Sequence, residues 1–496
     1  MTADQLEAAP LELAESHLLA HCAEVRVFTR MRVGVNTDAA GPTTCGEAGR
    51  GPFAQLAPAA ACSGPRPPAG PRGSRTCENG GIMARQTVAV IGAGVSGMTA
   101  AHILQRSFDV TVFEAKARLG GNADTRMAGP FPADLGFVGF NELAYPNLMR
   151  LFAELGVMSK EAVQSADLIC RDCEFAHMDG DTLGAEGLPR RPRDASDATW
   201  QKFTEDLVRF GTELAELAGG GDDELTLGRL LRERSYSDYF TRHHLYPRIG
   251  PWFLLHARDL DRIPARFLAA TMSPLARPEA RAAWRVVDGG SRTYVERIAA
   301  GLSSVRVATP VRSVSRREGG VEVRDGADRV HHFDKAVVAV HPAQALRLLD
   351  RPTSAERAVL GAFEYAKVEM VLHTDSSILP SDKLSSALMM EVSCASPRPF
   401  FSDCHVDVTK SQHLDTDVRY LKTFNPTDTI DPEKLVAYET YEVPVFTRES
   451  VAAQRRLPEI TDDVIAWAGA YHGNGFHEAG CHAGVMAAEA LGVSWS

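Results

Sequence analysis

"RQTVAVIGAGVSGMTAAHILQRSFDVTVFEAKARLGG" runs from Arg85 to Gly121 and decides how the chain folds. TVAVI is an unbroken apolar run closed by glycine, the pattern of a short strand covered on both faces. Gly92, Gly94 and Gly97 follow at G-x-G-x-x-G spacing, and MTAAHILQ continues as a helix. The first glycine permits a tight turn, the second lets a pyrophosphate approach the backbone, and the third lets helix and strand pack closely. At the helix start, Val95 and Ser96 present free N–H groups and a partial positive charge to phosphate. DVTVFE is the second strand and ends in Glu114, seventeen residues beyond Gly97, where a carboxylate can accept from a ribose 2′-OH. A glycine triplet alone is a weak signal. Strand, glycines, helix, second strand and acid in this order predict a Rossmann-like α/β unit holding an adenine dinucleotide.

Glu114 does not separate NAD from FAD, since both carry a free adenosine 2′-OH. The residues after it bear on the choice. Ala115 follows, then Arg118 four residues past the acid, then Gly120 and Gly121. A second glycine turn bearing an arginine offers a longer dinucleotide another phosphate contact and a close backbone. This succession resembles the flavin-containing amine oxidoreductase superfamily, which includes monoamine oxidases, phytoene desaturases and protoporphyrinogen oxidases. Further segments resemble it in order: VDGGSRTYVERIA (Val287–Ala299), TPVRSVSR, DKAVVAVHP and the tail WAGAYHGNGFHEAGCHAGVMAAEALG. The phrases FEYAKVEMVLHTD, YEVPVF and GAYHGNGFHEAG are similar to a bacterial group of NAD/FAD-binding oxidoreductases of undefined substrate. Members of that group lie beside genes for cyclopropane-fatty-acyl-synthase-like methyltransferases, which implies acyl-lipid substrates.

The resemblance implies FAD as cofactor. Val311 would meet the adenine, and Gly469, Gly475, Phe476, His477 and Gly480 would surround the ring beneath the last helix. Many relatives carry an acid after the glycine equivalent to Gly469, where this chain has Ala470. Cys481 lies near that turn but in no recognisable attachment motif, so the FAD is expected to be non-covalent.

At 496 residues, the chain is long for a single core. Residues 1–82 are rich in Gly, Pro, Ala and Arg without a sustained period, and are expected to be a disordered extension or an over-called translation start before Met83. Beyond them the text alternates. Residues 83–145 read as a first FAD-binding segment, 146–283 as a helical substrate-domain segment and 284–349 as a second FAD-binding segment. Residues 350–455 read as a further substrate-domain segment and 456–496 as the C-terminal FAD-binding segment. The predicted architecture is a nucleotide domain assembled from separate segments, with a mixed α+β substrate domain inserted between them. A net charge of −11 argues against nucleic-acid binding. The nine scattered cysteines fit a reducing cytoplasm rather than a disulfide framework. No run of eighteen apolar residues appears, although peripheral contact with a membrane is compatible with the composition.

Candidates for catalysis are few, because a flavin carries its own chemistry and the protein mainly positions substrate. The tail motif implies that Tyr471, His472, His477 and Glu478 lie beside the ring. An imidazole there would shuttle a proton near neutral pH or serve as a structural donor. Lys367, in YAKVEMVLH, resembles the strand lysine with which amine oxidases hold water near the flavin. Trp252, Phe253, Leu254 and Leu255 suit either a hydrophobic tunnel or an ordinary core. Arg242, Arg248, Arg258 and Arg262 suit an anionic head group or a solvated face. Cys170 and Cys173 form a lone CxxC, read as chance spacing. His243, His244, His331 and His332 read as surface or strand-edge residues, so no metal site is expected. No second G-x-G-x-x-G appears, which leaves oxygen, a quinone or a carrier protein as electron acceptor. The expected activity is an FAD-dependent oxidase or dehydrogenase acting on a hydrophobic, acyl-lipid-type substrate. Alternatives are an amine oxidase, a non-redox flavoprotein isomerase, and a flavin-free binding protein of the GDP-dissociation-inhibitor type.

Overall fold

The computed structural model describes residues 85–163, 165–178, 189–275, 278–281, 283–379, 384, 386–395, 403–426 and 430–495; the expected extension over 1–82 lies outside them. Five short strands, β1 (Thr87–Ile91), β2 (Asp109–Phe113), β3 (Ser304–Arg306), β4 (Lys335–Val338) and β5 (Ile465–Trp467), form one sheet in the order β3-β2-β1-β4-β5. Every neighbouring pair is parallel, and Ile91 stands level with both Phe113 and Val338. Val88, Ala89 and Val90 are fully buried, which is why β1 lacks polar alternation. The chain leaves β1 toward β2 on one side and returns as β4 on the other. That reversal opens a crevice beyond the carboxyl ends of the strands.

Helices α1 (Val95–Leu104), α2 (Pro146–Leu155), α3 (Arg292–Gly301) and α4 (His477–Ala490) share one core on a face of this sheet. Small residues let α1 and α4 touch closely: a Cβ on Gly484 would lie 2.4 Å from the Ser96 carbonyl oxygen. The opposite face carries an antiparallel sheet of Val311–Arg317, Gly320–Asp325 and Val330–Phe333, together with helices Pro342–Leu348 and Ser354–Leu360. The nucleotide-type domain is therefore a Rossmann-like α/β layer built from separate stretches of chain.

A second sheet of seven strands runs in the order Leu435–Val445, Glu364–His373, Leu421–Phe424, Asp403–Asp407, Leu388–Val392, Ala166–Cys170, Ala176–Met178. Its pairs are antiparallel except Leu388–Val392 with Ala166–Cys170. Helices between Asp197 and Met272 pack on it through Phe203, Phe210, Phe240 and Leu268, against Met370 and Phe446. The long helix Asp197–Gly219 starts at Ser196, whose hydroxyl accepts from the Thr199 N–H, and its helical apolar spacing turns Phe203 and Phe210 inward. The reading of 146–283 as helical needs correction. Strands Ser159–Glu161, Ala166–Cys170 and Ala176–Met178 lie within it. They are too short to show a period of their own, and cross-strand partners from distant sequence hold them.

One buried carboxylate ties these parts together. Asp134 accepts from the Thr125 hydroxyl at 2.6 Å, the Ser291 N–H and hydroxyl at 2.9 and 2.7 Å, and the Gln412 side-chain amide at 2.9 Å. Burial pushes its pKa up, and the bonds from Thr125 and Ser291 pull it back. Truncation would strand donors from three segments in the interior, each costing roughly 1–3 kcal/mol. Asp134→Ala is expected to lower stability by about 3 kcal/mol, with Asp134→Asn milder, as read by denaturant titration.

Candidate functional site

At the carboxyl ends of β1, β2 and β4 a cavity of about 1040 Å³ opens, lined there by Ile91, Gly92, Phe113, Glu114, Ala339 and Val340. Gly92 has φ +102°, and a Cβ on it would stand 2.4 Å from the Ala339 carbonyl oxygen. A Cβ on Gly97 would stand 2.0 Å from the Gly92 carbonyl oxygen. These two glycines let strand, turn and helix close on each other. Gly94 is different: an added Cβ would meet nothing within 4 Å, because its Cα faces the cavity. α1 begins there with no side-chain cap, so its first N–H groups are available to an anion. α4 also begins at the cavity wall, at Phe476, again without a side-chain cap. One cavity thus receives two uncapped helix N-termini, which suits the pyrophosphate and the carbonyl-bearing pyrimidine end of a flavin dinucleotide.

Glu114 lines the same wall. One carboxylate oxygen accepts from the Ala93 N–H at 2.9 Å and the other from the Lys116 N–H at 2.8 Å. These bonds hold the glycine turn and leave lone pairs for a ribose. Val95, Ser96, Ala115, Gly121 and Val311 also line the cavity, whereas Gly97, Gly120, Gly480 and Arg118 stand outside its wall. Arg118 donates to the Gly121 carbonyl and pairs with buried Asp124, both at 2.8 Å. Through these contacts it braces the second glycine turn. Asp124 also takes both ends of the Arg126 guanidinium and the Tyr441 hydroxyl, and this neutralises it in a dry setting.

The tail supplies Gly469, Ala470, Tyr471, Gly475, Phe476 and His477 to the cavity. Tyr471 is buried, has its ring 5.0 Å from Phe363, and its hydroxyl finds no partner among the described residues. His472 lies off the wall, and burial lowers its pKa to about 4. His477 stacks on Phe137 at 3.7 Å, and its Nε2 lies 2.7 Å from the Tyr294 hydroxyl. Burial takes its pKa down to about 3. Burial and the Phe137 and Tyr294 contacts favour the structural-donor reading of His477 over the proton shuttle, and among the described residues no carboxylate is bonded to the ring. Glu478 faces away, capping α2 by accepting from the Asn147 and Leu148 N–H groups, each at 3.0 Å. Cys481 is fully buried beside the Thr99 hydroxyl at 3.6 Å and is absent from the wall, which agrees with non-covalent FAD.

The other end of the cavity is built by the seven-stranded sheet and one helix end. Trp252, Phe253, Leu254, Trp284, Met370, Leu388, Val406, Phe424 and Tyr441 line it. Lys367 is exposed on the strand Glu364–His373, also at the wall, opposite Glu442. Arg242, Arg248, Arg258 and Arg262 do not reach the cavity; Arg262, for example, pairs with Glu364 at 2.7 Å. The cation that sequence reasoning missed is Lys422, which is 2% exposed in a strand buried at every position. Its ammonium donates to the Gly136 carbonyl at 3.3 Å and lies 5.3 Å from the Phe424 ring. Burial draws its pKa down to about 8, against the pull of Asp134. The available signal was a single lysine inside the apolar run YLKTF.

Comparison with known proteins defines the class. Residues 95–373 match the family described as flavin containing amine oxidoreductase, and the chain belongs to that family. Among relatives, coproporphyrinogen III oxidase of Mycobacterium leprae is 25% identical over 287 residues, covering 54% of this chain and 62% of that protein. Among solved structures, cyclohexylamine oxidase from Brevibacterium oxydans superposes with a TM-score of 0.60 at 19% identity, covering 82% of this chain and 98% of the other. A CLA-producing fatty acid isomerase from P. acnes gives 0.59 at 14% identity, covering 80% and 97%. Family and cavity agree on FAD as the cofactor. Among the described residues no helix is long and apolar enough to cross a membrane.

Gly94→Val is expected to leave a folded protein, since its Cβ has room, while filling the phosphate cradle. FAD content should fall by more than about tenfold, or ~1.4 kcal/mol, as read from visible absorbance at unchanged far-ultraviolet dichroism. A second expectation concerns acid. His477, His472, His373 and His405 all have pKa values depressed to about 3 or 4 by burial. Unfolded histidines take protons below about 6.5 while these folded ones do not, so stability is full above that pH and drains between roughly 6.5 and 3. Each histidine contributes a slope of up to ~1.4 kcal/mol per pH unit, and His477→Phe should remove one such share in unfolding measured across pH.

Proposed function

We propose that the chain is an FAD-dependent oxidoreductase that takes hydride from a hydrophobic acyl-type acid whose carboxylate pairs with Lys422. The observation that carries this is a desolvated ammonium beside the apolar side chains Met370, Val406 and Phe424 of the cavity wall. A buried cation without a carboxylate in contact is costly, and an anionic ligand end would offset that cost. Trp252, Phe253 and Met370 would hold the alkyl portion and keep water from the reacting carbon. FAD, when bound, supplies a ring that accepts the hydride. Electrons would then pass to oxygen, a quinone or a carrier protein.

Lys422 would repel an ammonium substrate, which weighs against an amine oxidase. The open Gly94 cradle beside Glu114 weighs against a flavin-free binding protein. A non-redox isomerase acting on the same acyl class is the second reading, because the fold of this chain also serves a fatty acid isomerase.

Anaerobic bleaching of the yellow protein separates these readings. Acyl acids should bleach it, and amines and porphyrinogens should not; bleaching by either of those alone would refute the proposal. Turnover of an unsaturated acid without bleaching would favour the isomerase. Lys422→Met should raise KM for the free acid about 10- to 100-fold, the equivalent of losing one charged hydrogen bond. It should leave the methyl ester nearly unaffected.

A further inference from the structure

Three thiols and one imidazole converge at the edge of the seven-stranded sheet. The ligand atoms of Cys170, Cys173, His243 and Cys394 all lie within 4.8 Å of one another, and Cys173 Sγ is 3.5 Å from His243 Nε2. The four residues come from three distant parts of the chain. Cys170 closes the strand Ala166–Cys170, and Cys173 sits in the tight turn that brings Phe175 back to pair with it. Cys394 follows the parallel neighbour Leu388–Val392. His243 lies in a π-helical turn, Thr241–Leu245, a rare irregularity that often marks a functional position. The surface or strand-edge reading of His243 is thereby corrected: it is 3% exposed and helical. The CxxC pair, read as chance spacing, lies within this cluster.

The surroundings are organised toward a metal. The N–H groups of Asp172, Cys173 and Cys394 point at the Cys170 sulfur, and that of Phe175 points at the Cys173 sulfur. His243 Nδ1 lies 3.1 Å from the Tyr239 carbonyl oxygen and the ring stacks on Tyr239 at 4.1 Å. Donation from Nδ1 fixes the tautomer and leaves the Nε2 lone pair facing the sulfurs, as an outer partner of a metal-bound histidine does. The Asp172 carboxylate accepts from the Ser393 hydroxyl at 2.5 Å and the Ala395 N–H at 2.8 Å, which clamps the two cysteine loops together.

We infer that Cys170, Cys173, His243 and Cys394 bind one structural zinc ion. A three-sulfur, one-nitrogen set is a closed tetrahedral zinc site, in which bonds of about 2.3 Å place sulfurs ~3.8 Å apart, within the spread observed. Four protein ligands leave no open position, so the ion joins segments rather than activating water. It would clasp the sheet edge to the helical turn that runs directly into Tyr246–Phe253, the helix that brings Trp252 and Phe253 to the cavity.

The test is elemental analysis of the full FAD-loaded protein purified under reducing conditions, with flavin absorbance as an independent control. About one zinc per chain is expected, released when a mercurial blocks the thiols. Cys173→Ser and His243→Gln should each lower retained zinc by more than about tenfold after dialysis against a chelator. Should those variants fail to fold, cobalt(II) exchanged into the unaltered protein decides. Tetrahedral thiolate bands at wavelengths beyond the flavin spectrum support the site. Metal-free protein with three freely reacting thiols, a Cys170–Cys173 disulfide found by mass spectrometry, or iron with acid-labile sulfide would each overturn it.

Discussion

Backbone packed against backbone at Gly92 and Gly97 is the constraint on which the rest of the molecule depends. With side chains there, β1 could not lie beside the chain leaving β4, nor could α1 rise so steeply from the turn. Because those contacts close, the first turn of α1 faces a crevice with its N–H groups unused. A fixed dipole end in a low-dielectric recess attracts an anion without reorganisation. The tail adds a second helix start, and Glu114 secures the turn between them. Cofactor recognition is thus mostly a property of main-chain geometry, with a few side chains holding that geometry in place.

The two domains are joined by buried polar groups as much as by apolar surface. Asp134 collects donors from the strand beside it, from the start of α3 and from Gln412, at the end of the short helix Val408–Ser411. Asp124 does the same for Arg118, Arg126 and Tyr441. Such groups are expensive unless fully bonded, and full bonding demands one relative placement of the contributing segments. Lys422 lies close to this network, with one carbonyl contact and a cavity in front of it.

Legibility in the sequence followed the reach of the interactions. The β1–turn–α1–β2 unit could be read because its signature residues lie within about forty positions and require specific residue types, glycine above all. The tail could be read for the same reason, through its glycines and the helix after them. His477 was placed at the site with its role left open, and Glu478, expected beside the ring, turns away from it. Their roles depend on Phe137, Tyr294 and the start of α2, elements far away in the chain. The short strands at 159–178 went unseen because their partners are equally remote.

Sequence alone determined the dinucleotide fold and singled out Glu114 after its second strand, since both rest on local spacing and backbone freedom. Tertiary structure alone decided that Lys422 is buried, that Arg118 pairs with Asp124, and that Cys170 and Cys173 meet His243 and Cys394. Burial and convergence are sums over contacts between segments up to more than two hundred residues apart. No local pattern encodes them, because the same CxxC or lone lysine on another surface would carry no chemistry.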